Sequence, residues 1–157
     1  MSLAFSENAR RELEALLARY PDKEAAILPT LHIAQREFGH VSDEAIVYVA
    51  GLLGFTPARI EGVATFYTMY NRKAVGKYHV QVCRNISCSL LGAEHLIAHV
   101  SQKLGIKPGE TTPDGKFTLS TAECLGSCGT APVMQVNDDY HENLTEEKID
   151  ALLDRLP

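Results

Sequence analysis

The stretch that decides the fold is residues 78–88, YHVQVCRNISC. Its first five residues, 78–82, alternate in polarity with a period of two, which predicts a β-strand. Cys83 follows this strand directly, and Cys88 comes five positions later. A cysteine pair that starts where a strand ends is expected on a loop that a rigid sheet can aim at one point.

A second cysteine pair has the same context. Residues 124–128, CLGSC, come shortly after the strand pattern of residues 117–121, with thirty-five residues between Cys88 and Cys124. The chain has four cysteines in total. Because both pairs follow strand-like segments, the sequence predicts one site on one domain, built from Cys83, Cys88, Cys124 and Cys128.

Four thiolates can hold either a tetrahedral zinc ion or an iron–sulfur cluster. Structural zinc sites favour two residues between paired cysteines, whereas the pairs here enclose four and three. The wider spacing favours a [2Fe–2S] cluster, in which each of two irons needs two thiolates. Gly126 and Gly129 flank Cys128 and would let the backbone approach the cluster and donate N–H groups to its sulfurs. Zinc and buried structural thiols remain as alternatives, while a dithiol redox enzyme would need a C-x-x-C motif.

The polar segment of residues 71–77, NRKAVGK, marks a change of pattern and predicts a boundary between domains 1–74 and 75–157. In the second domain, the strand at 78–82 is followed by one helix after Cys88, with an apolar face of Leu90, Ala93, Ile97, Val100 and Leu104. Further strands are expected at 117–121, 132–136 and 139–141, before a last helix capped by Thr145. This order predicts a sheet with helices packed on it.

The first seventy residues carry the apolar spacing of helices rather than strands, and Tyr20 is expected on the apolar face of the first helix. Capping residues open four segments, at Ser6, Asp22, Ser42 and Thr56. Pro29 lies inside the second segment and predicts a kink or a late helix start. Four short helices with short connections predict a small helical bundle, which makes the whole chain α+β.

Composition excludes several classes of function. The chain has 157 residues, 45% of them hydrophobic, which suits one or two small domains. Its formal net charge of −5 disfavours a nucleic-acid partner. Residues 1–11 lack a secretory apolar region, and no apolar run approaches the roughly 20 residues of a membrane span. We therefore expect a cytoplasmic protein without direct membrane insertion.

Two other residue groups could have a chemical role. His95 and His99 are four apart and could hold a metal, although a solvated or partner-facing surface is favoured. Phe66, Tyr67 and Tyr70 could contact a flavin or quinone, although core and interdomain packing is favoured. The chain has no G-x-G-x-x-G motif and no P-loop. We predict no catalytic residues and no complete active site, so a partner must supply the substrate-binding cofactor.

The chain resembles the small peripheral [2Fe–2S] subunit of NADH:quinone oxidoreductase, respiratory complex I, over nearly its whole length. The residues that carry this resemblance are GVATFY at 62–67, VQVC at 80–83 with Cys88 after it, CLGSC at 124–128, and APVM at 131–134. The resemblance implies a thioredoxin-like [2Fe–2S] ferredoxin fold for the second domain. It also implies an electron-transfer role in an oxidoreductase, with the four cysteines as cluster ligands.

The same resemblance implies partners. The chain would dock, helped by its helical first half, on a flavoprotein subunit that binds FMN and NADH, in a complex peripheral to the inner membrane. Its cluster would lie near the FMN but off the main chain of clusters. Related chains occur in NAD-linked hydrogenases and formate dehydrogenases, so an equivalent diaphorase subunit remains an alternative, as does a zinc-binding structural adaptor. The helical first half disfavours a stand-alone ferredoxin.

Overall fold

A computed structural model describes residues 3–157. Residues 1 and 2, which the sequence assigns to the first domain, lie outside the described part. The chain divides into two compact units, Met1–Ala74 and Val75–Pro157, and each has a hydrophobic core of its own.

The first unit is helical, as predicted. Its helices are α1 (Glu7–Leu17), α2 (Ile27–Phe38), α3 (Asp43–Leu53) and α4 (Pro57–Phe66), with a 3₁₀ turn at Lys23–Ala26 before α2. The side chains of Ser6, Ser42 and Thr56 each accept a hydrogen bond from a backbone N–H in the first turn of α1, α3 and α4. Asp22 caps the 3₁₀ turn in the same way.

Pro29 produces a late helix start rather than a kink. It is the third residue of α2, where the backbone N–H would have no partner within the helix in any case. Tyr20 was expected on the apolar face of the first helix, and that expectation is wrong. Helix α1 ends at Leu17, and Tyr20 is 38% exposed.

The aromatic group at the end of α4 does not form one cluster. Tyr70 is buried in the core of the first unit, and its hydroxyl donates to the carbonyl oxygen of Leu28 over 2.8 Å. Phe66 is 78% exposed and Tyr67 is 39% exposed. Core packing is therefore confirmed for Tyr70 and wrong for the other two, because α4 ends at Phe66 and the extended backbone of Tyr67 redirects the chain.

The second unit contains a four-stranded sheet. The strands are β1 (Tyr78–Cys83), β2 (Phe117–Ala122), β3 (Met134–Val136) and β4 (Asp139–His141). Their order across the sheet is β2-β1-β3-β4, with β1 and β2 parallel and the other pairs antiparallel. The parallel register pairs Cys83 with Ala122, so both strands end at the same edge. The predicted α+β class is confirmed.

Three α-helices belong to this unit: α5 (Ile86–Leu90), α6 (Ala93–Leu104) and α7 (Glu146–Arg155). Helices α6 and α7 pack on the sheet through one shared core, which contains Val80, Val82, Val100 and Ile149, each fully buried. This confirms the predicted sheet with helices packed on it.

The expectation of a single helix after Cys88 is wrong in two respects. The chain forms two helices there, and Cys88 is the third residue of the first of them, α5. Gly92 separates them, because its backbone takes a left-handed conformation with φ of +93° that a side chain would disfavour. Leu90, expected on the apolar face, is 81% exposed.

Within residues 3–157, no single helix has the length and apolar character to cross a membrane. Helices α3 and α4 meet those criteria only when taken together, and a bend of 120° separates them.

Candidate metal centre

The first cysteine loop leaves the sheet at the end of β1. Cys83 is the last residue of that strand, and its backbone N–H donates to the carbonyl oxygen of Val133 over 3.1 Å. The N–H of Arg84 donates to the carbonyl oxygen of Ala122, in β2, over 2.9 Å. Cys83 and Cys88 are both buried, at 3% and 2% exposed. The sheet therefore determines where this loop begins and keeps its two thiols away from solvent.

The thiol of Cys88 contacts that of Cys83 in the first loop. Burial raises the pKa of the Cys88 thiol, and a hydrogen bond with Cys83 raises this pKa further, while a backbone contact with Val133 opposes the shift. The charges of Cys83 and Cys128 also act on Cys88. The second loop lies against the first, because Leu125 and Ala131 pack against the buried group that contains Cys83 and Cys88.

The second cysteine loop leaves β2 at Ala122 and exposes both of its thiols. Cys124 and Cys128 are exposed, and Cys128 opens a short 3₁₀ turn. Gly126 has a φ of +74°, a left-handed conformation that favours glycine, and its N–H donates to the sulfur of Cys124 over 3.4 Å. An N–H group directed at a cysteine sulfur stabilises negative charge on that sulfur.

Asn85 joins the two loops, and the sequence analysis missed it. Its side-chain amide donates to the carbonyl oxygen of Glu123 over 2.8 Å, and its carbonyl oxygen accepts from the N–H of Ile86 over 2.9 Å. An asparagine directly before a helix is a recognisable capping signal. The bond to the other loop could not be seen, because the partner lies 38 residues away.

A second group missed by the sequence analysis surrounds Cys128. The hydroxyls of Ser127 and Thr130 lie 2.7 Å apart, and both donate to the carboxylate of Glu142. The hydroxyl of Tyr140, on β4, donates to the carbonyl oxygen of Leu125 in the second cysteine loop over 2.9 Å. Side chains from strand β4 and the segment after it therefore hold the second loop.

The donor set fits an iron–sulfur cluster by its chemistry. Four thiols in two pairs, without another ligand type among them, match the ligand requirement of a [2Fe–2S] cluster. In the described part of the chain, no three His, Cys, Asp or Glu side chains, the four cysteines included, form a group that could hold a metal ion.

The two histidines that the sequence singled out lie between helices. His95 contacts Glu146, and Nε2 of His99 lies 2.9 Å from Oδ1 of Asp150. Nζ of Lys103 lies 3.3 Å from Oδ1 of Asp150 and 2.8 Å from Oδ1 of Asp154, which adds two ion pairs to this series. We call this series the α6–α7 ion-pair ladder. Both histidines therefore contact acidic side chains of α7.

Comparison with known proteins decides the family. Residues 13–157 match the thioredoxin-like [2Fe-2S] ferredoxin family. The chain belongs to this family. The match covers both the cysteine loops and most of the helical unit, and it confirms the predicted [2Fe–2S] cofactor and the thioredoxin-like fold of this ferredoxin.

Curated relatives of this ferredoxin carry the name of one enzyme, NADH-quinone oxidoreductase. The chain is 52% identical to a subunit of that enzyme from Rhizobium meliloti (strain 1021), over 92% of this chain and 86% of the relative. It is 47% identical to NADH-quinone oxidoreductase subunit 2 of Thermus thermophilus, over 96% of this chain and 85% of the relative. The resemblance to an oxidoreductase subunit is therefore confirmed, and the relatives are parts of a multi-subunit assembly.

A solved structure shares the fold. The crystal structure of NAD+-reducing [NiFe]-hydrogenase in the H2-reduced state superimposes with a TM-score of 0.72 at 22% identity, over 83% of this ferredoxin. This ferredoxin spans about a quarter of that hydrogenase chain, 23% of its length. At this identity, the likeness shows the fold alone.

Proposed function

We propose that this chain is the electron-transfer subunit of an NADH:quinone oxidoreductase, with its [2Fe–2S] cluster held by Cys83, Cys88, Cys124 and Cys128. The observation that carries the proposal is the contact between two cysteine loops at one edge of a sheet, in a chain of this family. A bound cluster of this type supplies one-electron transfer.

The four cysteines divide into an inner and an outer pair. Cys83 and Cys88 are buried against Ala93 and Val133, which keeps water from the inner side of the site. Cys124 and Cys128 are exposed, so the outer side faces the surface at which a redox partner can approach. The N–H of Gly126, which donates to Cys124, would help to stabilise the negative charge of its thiolate.

The partner in this proposal is a flavoprotein subunit that carries FMN and binds NADH. The relatives at about half identity are named as subunits of NADH-quinone oxidoreductase, which supports an assembly rather than a diffusing carrier. The complex would place this chain at the periphery of a membrane through its partners. No substrate conversion is assigned to this chain alone, because its chemistry is limited to holding the electron carrier.

A second candidate is the equivalent subunit of an NAD-linked hydrogenase. The fold shared with the NAD+-reducing hydrogenase supports it, whereas the higher identity to the oxidoreductase subunits favours the first candidate. An NAD-linked formate dehydrogenase would use the same type of chain.

Metal analysis tests the cluster. The full chain is purified without oxygen and assayed for iron, acid-labile sulfide and zinc, with electron paramagnetic resonance after reduction. Two irons and two sulfides per chain, with a signal that appears on reduction, are expected. A colourless chain with one zinc would overturn the proposal in favour of a structural adaptor.

Recovery of the native complex tests the partner. A tagged chain is isolated from its own host, and the co-purifying proteins are identified and assayed for bound FMN. A flavoprotein with NADH:quinone oxidoreductase activity is expected. Recovery with a hydrogenase or formate dehydrogenase would transfer the assignment to the second candidate.

A further inference from the structure

An acidic side chain holds the second cysteine loop from outside. Glu142 follows β4, and its Oε1 atom accepts from the hydroxyls of Ser127 and of Thr130, the latter over 2.8 Å. Ser127 directly precedes Cys128, and Thr130 follows it by two positions. One carboxylate therefore connects both ends of the turn that carries Cys128.

The three oxygen atoms share only two protons. Each hydroxyl has one proton, while three contacts join the two hydroxyl oxygens and Oε1 of Glu142, and the Thr130 hydroxyl also lies 3.3 Å from the carbonyl oxygen of Ser127. Hydrogen bonds to a carboxylate are stronger than those between neutral hydroxyls, so both protons point to Glu142. These two bonds hold the pKa of Glu142 below its ordinary value, which keeps the group ionised at neutral pH.

The backbone around Glu142 is bound to the same loop. The N–H of Asn143 donates to the carbonyl oxygen of Thr130 over 2.7 Å, and the N–H of Leu144 donates to Pro132 over 3.0 Å. Leu144 is buried in the core of the second unit. The carboxylate is thus held by a rigid segment, and among residues 3–157 no cation lies within ion-pair distance of it.

The geometry points to Glu142 as a positioning residue of the cluster site, which braces the Cys128 turn and places a negative charge beside it. This inference rests on the proposed function. Groups that orient the ligands of a metal site typically affect its affinity by about 10-fold or more. A negative charge near the cluster also disfavours the added electron, so Glu142 lowers the reduction potential.

Four variants of the full, cluster-loaded chain separate the bracing from the charge. Glu142→Gln keeps an acceptor oxygen and removes the charge, and Glu142→Ala removes both. The double variant Ser127→Ala/Thr130→Ala removes the donors and keeps the carboxylate. Glu123→Gln is the control for a charge lost next to a cysteine, since its carboxylate makes no hydrogen bond within the described part of the chain.

Two measurements are made on each variant: the rate at which a chelator abolishes the visible absorbance, and the midpoint potential from an optical redox titration. Glu142→Ala and the double variant are expected to lose absorbance about 10-fold faster than the wild-type chain. Glu142→Gln should lose it more slowly than Glu142→Ala, and should raise the potential more than the double variant does.

Release rates in Glu142→Ala and the double variant equal to that of Glu123→Gln would overturn the bracing role. An unchanged potential in Glu142→Gln would overturn the effect of the charge. If Glu142→Ala does not fold, the double variant and Glu142→Gln carry the same comparison. If the wild-type chain holds two irons and the variants match its release rate and midpoint potential, only this inference is refuted. A wild-type chain that holds zinc also refutes the proposed function.

Discussion

The side-chain amide of Asn85 lies 2.8 Å from the carbonyl oxygen of Glu123 and donates a hydrogen bond to it. Asn85 belongs to the first cysteine loop, and Glu123 directly precedes Cys124 of the second. This bond connects the two loops across the edge of the sheet. Its position indicates that the distance between the cysteine pairs depends on a residue that is not itself a ligand.

Replacement of Asn85 should loosen the site. Asn85→Ala removes the bond between the loops and the cap of α5, which together should lower the free energy of unfolding by about 1–2 kcal/mol. It should also speed loss of the visible absorbance to a chelator. Asn85→Asp is the comparison variant, because it keeps the capping oxygen and replaces the amide donor by a second oxygen that carries negative charge. Equal release rates for the wild-type chain and both variants would contradict the connecting role.

Serine variants test the ligand assignment. Cys83→Ser, Cys88→Ser, Cys124→Ser and Cys128→Ser should each lose most of the visible absorbance, because each removes one thiolate ligand. The far-ultraviolet circular dichroism should change little in Cys124→Ser and Cys128→Ser, since both side chains are exposed. An unchanged absorbance in these two variants would refute the assignment of the second pair.

The α6–α7 ion-pair ladder should make stability depend on pH. The hydrogen bond with His99, assisted by Lys103, holds the pKa of Asp150 below its ordinary value of 3.8. A carboxylate with a lowered pKa stabilises the fold above its ordinary pKa, and this contribution is lost as the pH falls through the lowered value. Asp150→Asn should therefore reduce the urea midpoint at pH 7, and the difference from the wild-type chain should vanish in strong acid.

Asp138→Asn provides the control for this ladder, because Asp138 is exposed in the turn before β4. Its urea midpoint should follow that of the wild-type chain across the same pH range. A difference between Asp150→Asn and the wild-type chain that stays constant into strong acid would indicate a packing effect rather than an ionic one.

The core of the helical unit should be sensitive at Leu31, which is fully buried. Leu31→Ala should cost about 2–5 kcal/mol of unfolding free energy, because it leaves a cavity among packed side chains. Val47→Ala, on the neighbouring helix α3 at 59% exposure, should change it by no more than about 0.5 kcal/mol. Chemical denaturation followed by circular dichroism measures both, and similar midpoints would show that the core had been misidentified.

The sequence predicted most helices and strands because their signals are local. Ser6, Ser42 and Thr56 cap the helices that they were expected to cap, since a capping bond joins residues three positions apart. The alternation at residues 78–82 specified β1 for the same reason. The prediction failed after Cys88, where apolar spacing continued through Gly92 although the backbone there turns left-handed and ends α5.

The sequence alone determined that this chain carries two cysteine pairs at strand ends, because residue type and spacing along the chain are sufficient for that inference. The tertiary structure decided which thiols are buried, how Asn85 connects the loops, and that Glu142 lies against the Cys128 turn. These features depend on the parallel pairing of β1 with β2 and on the return of the chain after β4. Contacts between residues far apart in the chain create them, and no local pattern records such contacts.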